Sequence, residues 1–178
     1  MPFNIPNSLT WARIALIPFF VGIYYLPADV MSAENKNLIA TLTFIAAAVT
    51  DWFDGYLARS LGQTSAFGAF LDPVADKLMV AAALIVLVHL GRVDSLIALV
   101  IIGREITISA LREWMAKVGA SGSVAVAFVG KLKTAAQMSA IPLLLIEAPV
   151  LGFDSLKLGT LLIYVAAVLT LWSMGYYM

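Results

Sequence analysis

The sequence predicts an all-α integral membrane protein with six transmembrane helices, and three observations carry that expectation. Of its 178 residues, 62% are hydrophobic and only 12% charged, with a mean hydropathy of +0.95. Soluble domains are about 45–50% apolar and about 25% charged, and a 19.1 kDa globule has too little interior to hide such an excess from water. Long apolar runs recur without period-2 alternation. Only helices and closed barrels satisfy their own backbone groups in lipid, so helices are expected. Eleven Lys and Arg balance eleven Asp and Glu; with no net field to draw in polyanions, no nucleic-acid partner is expected. The absence of cysteine removes disulfides and thiolate metal sites.

A span needs about 20 mostly apolar residues. The first expected helix covers residues 8–26 and is stopped by Pro27-Ala28-Asp29. The second covers 37–60, and the third covers 69–90, ending at Gly91-Arg92. The fourth runs over 94–117 before the Gly- and Ser-rich stretch 119–123. The fifth, 124–147, closes at Ala148-Pro149, and the sixth covers 155–176. Each break carries residues that end helices or make turns. Phe3 and Ile5 ahead of Pro6 predict a short N-terminal interfacial segment, and Asn7 and Thr10 are placed to cap the first helix. That first span has no charged leader and no small-residue cleavage site, so it reads as retained. No linker separates a second domain, and one domain is expected over 1–178.

With six spans the two termini share a side. Arg13, Arg59, Lys77, Arg104, Arg112, Lys117, Lys131 and Lys133 fall on that side, against Lys36, Arg92 and Lys157 on the other. Cations concentrate on the cytoplasmic side of membrane proteins, so both termini are expected in the cytoplasm. Trp172, Tyr176 and Tyr177 suit an aromatic belt at the last span's cytoplasmic end. His89 falls at the opposite end of the third span, away from the acids described next.

The chemistry concentrates between residues 51 and 76. Asp51, Asp54 and Ala58 are spaced i, i+3, i+7 and share a helix face; Asp72 and Asp76 lie one turn apart on the following helix. A short connection makes the two helices antiparallel neighbours, so four carboxylates are expected to converge near the cytoplasmic end. Acids at membrane depth are costly and point to function, and four together repel unless cations bind or protons stay on. All-carboxylate ligation favours hard ions such as Mg²⁺, Mn²⁺ or Ca²⁺, and a close pair of them suits phosphoryl transfer. Gly55 and Gly68 would let a phosphate approach the backbone, and Arg59 could balance its charge. Composition and spacing alone leave an ion or proton transporter open beside metal-dependent phosphoryl chemistry.

Written out, the stretch is D-x2-D-G-x2-A-R-x8-G-x3-D-x3-D, and it resembles the signature of the CDP-alcohol phosphotransferase family at Asp51, Asp54, Gly55, Ala58, Arg59, Gly68, Asp72 and Asp76. Eight fixed positions within 26 residues make this a specific match. The resemblance implies a six-helix homodimer with a polar cavity open to the cytoplasm. It also implies two divalent cations, Mg²⁺ or Mn²⁺, held by Asp51, Asp54, Asp72 and Asp76 on the diphosphate of a CDP-linked donor. Asp76 would be the general base. Asn7, Thr10, Gly55, Ala58, Arg59, Ser65 and Gly68 would contact the donor, Ser65 by likeness to a hydroxyl residue of the same loop.

The remainder resembles one branch of the family in Asn4-Ile-Pro-Asn7-Ser-Leu-Thr10 with Arg13, in Gly103-Arg104-Glu105 through Ala110-Leu-Arg112-Glu-Trp-Met, and in Gly130-Lys131-Leu-Lys133-Thr134. That branch moves a phosphatidyl group from CDP-diacylglycerol to sn-glycerol 3-phosphate in the bacterial inner membrane, among membrane lipids. Arg104, Arg112, Lys131 and Lys133 would take the acceptor's dianionic phosphate. Sibling chemistry with inositol phosphate, serine or phosphatidylglycerol is the main alternative. Gly130-Lys131-Leu-Lys133-Thr134 is no P-loop, because the upstream glycine and strand are missing.

Overall fold

The structure is a computed structural model, and it describes residues 5–60, 66–118, 125–149 and 152–175. Among them the secondary structure is helical. In chain order come α1 (Ile5–Gly22), which tightens into a 3₁₀ turn at Ile23–Tyr25, α2 (Ala33–Ser60), α3 (Ala66–His89), α4 (Ser95–Val118), α5 (Ala125–Ile146) and α6 (Ser155–Gly175). The six expected helices are present, with ends shifted by a few residues. At about 1.5 Å per residue, lengths of 18 to 28 residues give rods of about 27 to 42 Å, comparable to a hydrocarbon layer about 30 Å thick.

Two expectations at the N-terminus are corrected. Ile5 and Pro6 belong to the first turn of α1 rather than to a separate interfacial piece; Phe3 lies outside the described residues. Proline is tolerated there because a first-turn residue has no intrahelical acceptor to lose. Asn7 and Thr10 consequently sit inside α1 instead of capping it. Thr10 is buried, and its hydroxyl serves another helix.

The chain divides into two compact units, Met1–Val86 and Leu87–Met178, with α3 running through the boundary. In the first, α1 packs against α2. Thr10, Arg13, Phe20 and Ile23 make its buried stripe, at the three- and four-residue spacing of one helix face. Ala40, Phe44 and Ala47 answer from α2 with the same period. In the second unit, α6 packs closely on α5 and also touches α4. Threonines in these apolar helices return their hydroxyls to the preceding turn: Thr41 to the Asn37 carbonyl at 2.7 Å, Thr107 to Gly103 at 2.8 Å and Thr134 to Gly130 at 2.9 Å. That local bond satisfies a hydroxyl where water is scarce.

Helix ends are closed by side chains and turns. Ser32, Asp94 and Asp154 accept backbone N–H bonds at the starts of α2, α4 and α6, satisfying orphan donors. The backbone N–H of Lys157, and then its ammonium, hold the Asp154 carboxyl below its usual range. At the end of α3, Gly91 adopts φ +70°; its N–H meets the Val88 carbonyl at 3.0 Å and that of Arg92 meets Leu87 at 2.9 Å, a Schellman closure. The Arg92 guanidinium then donates to the Leu144 and Leu145 carbonyls at 3.0 and 2.8 Å and pairs with Glu147. One turn thus caps the last turn of α5 with a cation, as the helix dipole favours.

Among the described residues, Ser8–Tyr25 and Ser155–Ser173 are long and apolar enough to cross a membrane by length and composition. Helices between them carry buried charged groups, such as Arg104 on α4 and Lys133 on α5. Outer faces tell a different story: Phe19, Leu42, Ile85, Leu99, Leu132 and Val168, one from each helix, are all exposed.

Gly159 is where α6 meets α5 most closely. A Cβ there would lie 2.7 Å from Leu144 Cγ and 3.2 Å from Leu143 Cβ, whereas one at Gly103 would meet nothing within 4 Å. Gly159→Ala is therefore expected to destabilise the fold by about 1–3 kcal/mol through overpacking, read as a lower thermal midpoint in detergent. Gly103→Ala should leave the midpoint unchanged or raise it, since helix propensity adds up to about 1 kcal/mol of stability. Equal midpoints for the two variants would contradict this packing.

Candidate functional site

In the first unit, the site begins on α1. Thr10 and Arg13 stand one turn apart on its buried face, and each reaches a carboxylate on a different helix. Arg13, only 1% exposed, donates from Nη1 to Asp51 Oδ1 on α2 at 2.7 Å. Thr10 Oγ1 donates to Asp72 Oδ1 on α3 at 2.5 Å. A guanidinium withdrawn from water needs a paired anion, and Asp51 supplies it while remaining 42% exposed itself. Each aspartate is thus gripped through one oxygen, and no hydrogen bond to the other is recorded among the described residues. Asp76 follows Asp72 by one turn of α3, half-buried, and Gly68, one turn before Asp72, is buried.

The backbone of α2 is helical through Ser60, so Asp51, Asp54 and Ala58 keep their i, i+3, i+7 register. The side chains of Asn7, Asp54, Ala58 and Arg59, the surroundings of Gly55, and the whole of Ser65 lie outside the described residues. Among the described residues no three His, Cys, Asp or Glu side chains form a metal-binding group. The donor set nevertheless suits a hard cation. Asp51 and Asp72 offer carboxylate oxygens, each oriented by a neighbouring donor, the outer-shell arrangement that fixes metal-ligating carboxylates.

In the second unit, three helices contribute. Arg104 of α4 is 7% exposed, and its Nη2 donates to Ser173 Oγ of α6 at 2.8 Å. Ser173 gives its own proton to the Thr170 carbonyl at 2.9 Å, which leaves its lone pair turned to the guanidinium. Lys133 of α5, 3% exposed, pairs with Glu105 of α4, whose Oε1 also lies 3.5 Å from Arg104 Nη1. One carboxylate therefore bridges two buried cations. Lys131, two residues from Lys133, is exposed on another face of α5, as a helix requires of an i, i+2 pair. The structure brings Arg104 and Lys133 together and does not bring Lys131 to them; the Arg112 side chain lies outside the described residues.

Sequence reasoning counted Arg13 only toward topology and the family resemblance, and assigned nothing to Ser173 or to Gln137, which is buried one turn beyond Lys133. Their signal was available: isolated polar residues at helical spacing inside apolar runs, as in Thr10-x2-Arg13 and Lys133-x3-Gln137.

A model of the CDP-alcohol phosphatidyltransferase family matches residues 3–172. A protein of Pectobacterium atrosepticum named CDP-diacylglycerol–glycerol-3-phosphate 3-phosphatidyltransferase is 53% identical, over 100% of this chain and 94% of its own length. Proteins of the same name from Shigella flexneri and from Escherichia coli strain K12 are 51% identical over the same shares.

The Glu105 bridge makes a testable demand. Removing one partner of a buried ion pair costs about 3–5 kcal/mol, while replacing both with apolar groups is far milder. Glu105→Gln alone should lower the thermal midpoint clearly, and Glu105→Gln with Lys133→Met should recover part of that loss. Additive losses in the double variant would mean that the two side chains are not coupled.

Proposed function

This chain belongs to the CDP-alcohol phosphatidyltransferase family, and on that footing we infer that it transfers the phosphatidyl group of CDP-diacylglycerol to sn-glycerol 3-phosphate, giving phosphatidylglycerophosphate and CMP. The likeness to relatives that carry this activity in their name, at 51–53% identity over the whole chain, carries the reading. The site residues support it with matching chemistry: carboxylates for a diphosphate donor in the first unit, and a buried Arg–Lys pair suited to a dianionic acceptor in the second.

The setting is the bacterial inner membrane. Six spans, both termini and the active site on the cytoplasmic side, and one domain over 1–178 are the arrangement proposed. It is supported by the apolar outer residue on each helix, which water would tolerate poorly in such number, and by the concentration of Arg and Lys near one set of helix ends. A homodimer, as in the resembling family, completes the picture.

Asp51, Asp54, Asp72 and Asp76 would hold two divalent cations, Mg²⁺ or Mn²⁺, whose charge offsets that of the donor's diphosphate and of departing CMP. Arg13 and Thr10 keep one oxygen of Asp51 and of Asp72 fixed, which spares reorganisation during turnover. Asn7, Thr10, Gly55, Ala58, Arg59, Ser65 and Gly68 receive the nucleotide and phosphates; glycines let the donor approach the backbone, and Arg59 matches phosphate oxygens in pairs. Arg104 and Lys133, with Arg112 and Lys131, take the acceptor phosphate and so present its 1-hydroxyl. Asp76 accepts the proton of that hydroxyl as its oxygen bonds to the phosphatidyl phosphorus and the bond from phosphorus to CMP breaks.

Purified protein with CDP-diacylglycerol, Mg²⁺ and a panel of acceptors is expected to release CMP with glycerol 3-phosphate far faster than with inositol phosphate, serine or phosphatidylglycerol. Preference for another acceptor would keep the family and overturn the substrate. A chelator should abolish release, and added Mg²⁺ or Mn²⁺ should restore it. Asp76→Asn is expected to lower kcat by about 10²–10⁴-fold while donor binding persists; near-normal turnover would remove Asp76 from the role of base.

A further inference from the structure

Gln137 is a buried polar side chain that the second unit leaves unexplained, as is the Thr170 hydroxyl. It lies on α5, one turn after Lys133, and is 4% exposed. Its Oε1 is buried without a hydrogen-bond partner among the described residues. A buried amide oxygen left unsatisfied costs about 1–3 kcal/mol, and apolar residues of similar size were available at this position. Native proteins carry few such groups, and each calls for a cause.

Its surroundings point to the cause. Residues four apart share a helix face, and on that face Lys133 pairs with Glu105 of α4. Further along α5 the stripe becomes wholly apolar, with Ile141 and Leu144 fully buried. Gln137 thus lies on the buried stripe of α5 between Lys133, whose partner Glu105 also meets Arg104, and an apolar floor. One helical turn is about 5.4 Å, comparable to the reach from a phosphate to a hydroxyl two carbons away.

We propose that Gln137 is a specificity-determining residue whose side-chain amide hydrogen-bonds the 2-hydroxyl of the acceptor while Arg104 and Lys133 hold its phosphate. This rests on the glycerol 3-phosphate reading above and deepens it. The 2-hydroxyl does not react; the 1-hydroxyl does. Binding the first while the phosphate is held fixes the rotation of the glycerol backbone and hence the aim of the second. A pocket built to bond a hydroxyl also rejects the analogue that lacks it, because the amide is then left unpaired.

The test compares sn-glycerol 3-phosphate with 3-hydroxypropyl phosphate, which keeps the phosphate and the attacking hydroxyl but lacks the 2-hydroxyl. Both are assayed by CMP release from CDP-diacylglycerol with the full-length enzyme. Wild type is expected to prefer glycerol 3-phosphate by at least about tenfold in kcat/KM. Gln137→Leu should lose that preference, falling about tenfold on glycerol 3-phosphate while 3-hydroxypropyl phosphate and the KM for CDP-diacylglycerol stay within about twofold. Gln137→Met, closer in shape, should behave alike and serves if the leucine variant folds poorly. Equal losses on both acceptors would assign Gln137 to structure or to a trapped water. No preference in wild type, or no change in either variant, would equally overturn the proposal. If Arg104→Ala also leaves the KM for glycerol 3-phosphate unchanged, the acceptor site itself is misassigned; if Arg104→Ala raises it and Gln137→Leu does nothing, only the role of Gln137 falls.

Discussion

A charge taken into an apolar bundle must meet a partner there, and the polar architecture of both units follows from that constraint. Arg13 is almost completely enclosed, so α1 can settle against α2 only in the register that brings the guanidinium to Asp51. The same register places Thr10, one turn earlier, against Asp72. An otherwise greasy helix thereby fixes two carboxylates on two other helices. Apolar packing alone would not choose among rotations of α1, because lipid tails are as apolar as its side chains; the paired charge makes the choice.

The second unit meets the same requirement differently. Two cations, Arg104 and Lys133, share one carboxylate, Glu105, and Arg104 finds a neutral acceptor in Ser173. A hydroxyl whose proton is already committed to Thr170 orients a guanidinium without cancelling its charge. The cations keep their attraction for an anion while being held still, which a second carboxylate would not permit. Tight helix contact supports this arrangement: Gly159 lets α6 lie directly on Leu143 and Leu144, and Arg92 closes the far end of α5. Rigidity at the periphery is what allows long, flexible basic side chains to be aimed.

Much of this is legible in the sequence. Six helices followed from long apolar runs punctuated by Gly, Pro and Asp, and the family from eight positions between Asp51 and Asp76. Less legible was the start of α1, since Pro6 reads as a breaker by itself yet is harmless in a first turn. Thr10 read as a cap for a similar reason: a hydroxyl near a helix start usually serves the local backbone, and only its position inside α1 freed it for Asp72. Lys131 and Lys133 looked equivalent in sequence; the helical turn between them buries one and exposes the other.

By itself the sequence determined class and kin: an apolar excess points to a membrane and fixed spacing identifies a family, while the ordered aspartates raise only the expectation of a cationic counterpart. These depend on residue type and local periodicity, which a single helix already expresses. Only the tertiary structure decided which charges pair. Arg13 with Asp51 spans 38 residues, Thr10 with Asp72 spans 62 and Arg104 with Ser173 spans 69. Partners so far apart along the chain are chosen by how helices rotate and pack, and by the energetic demand that no buried charge stand alone.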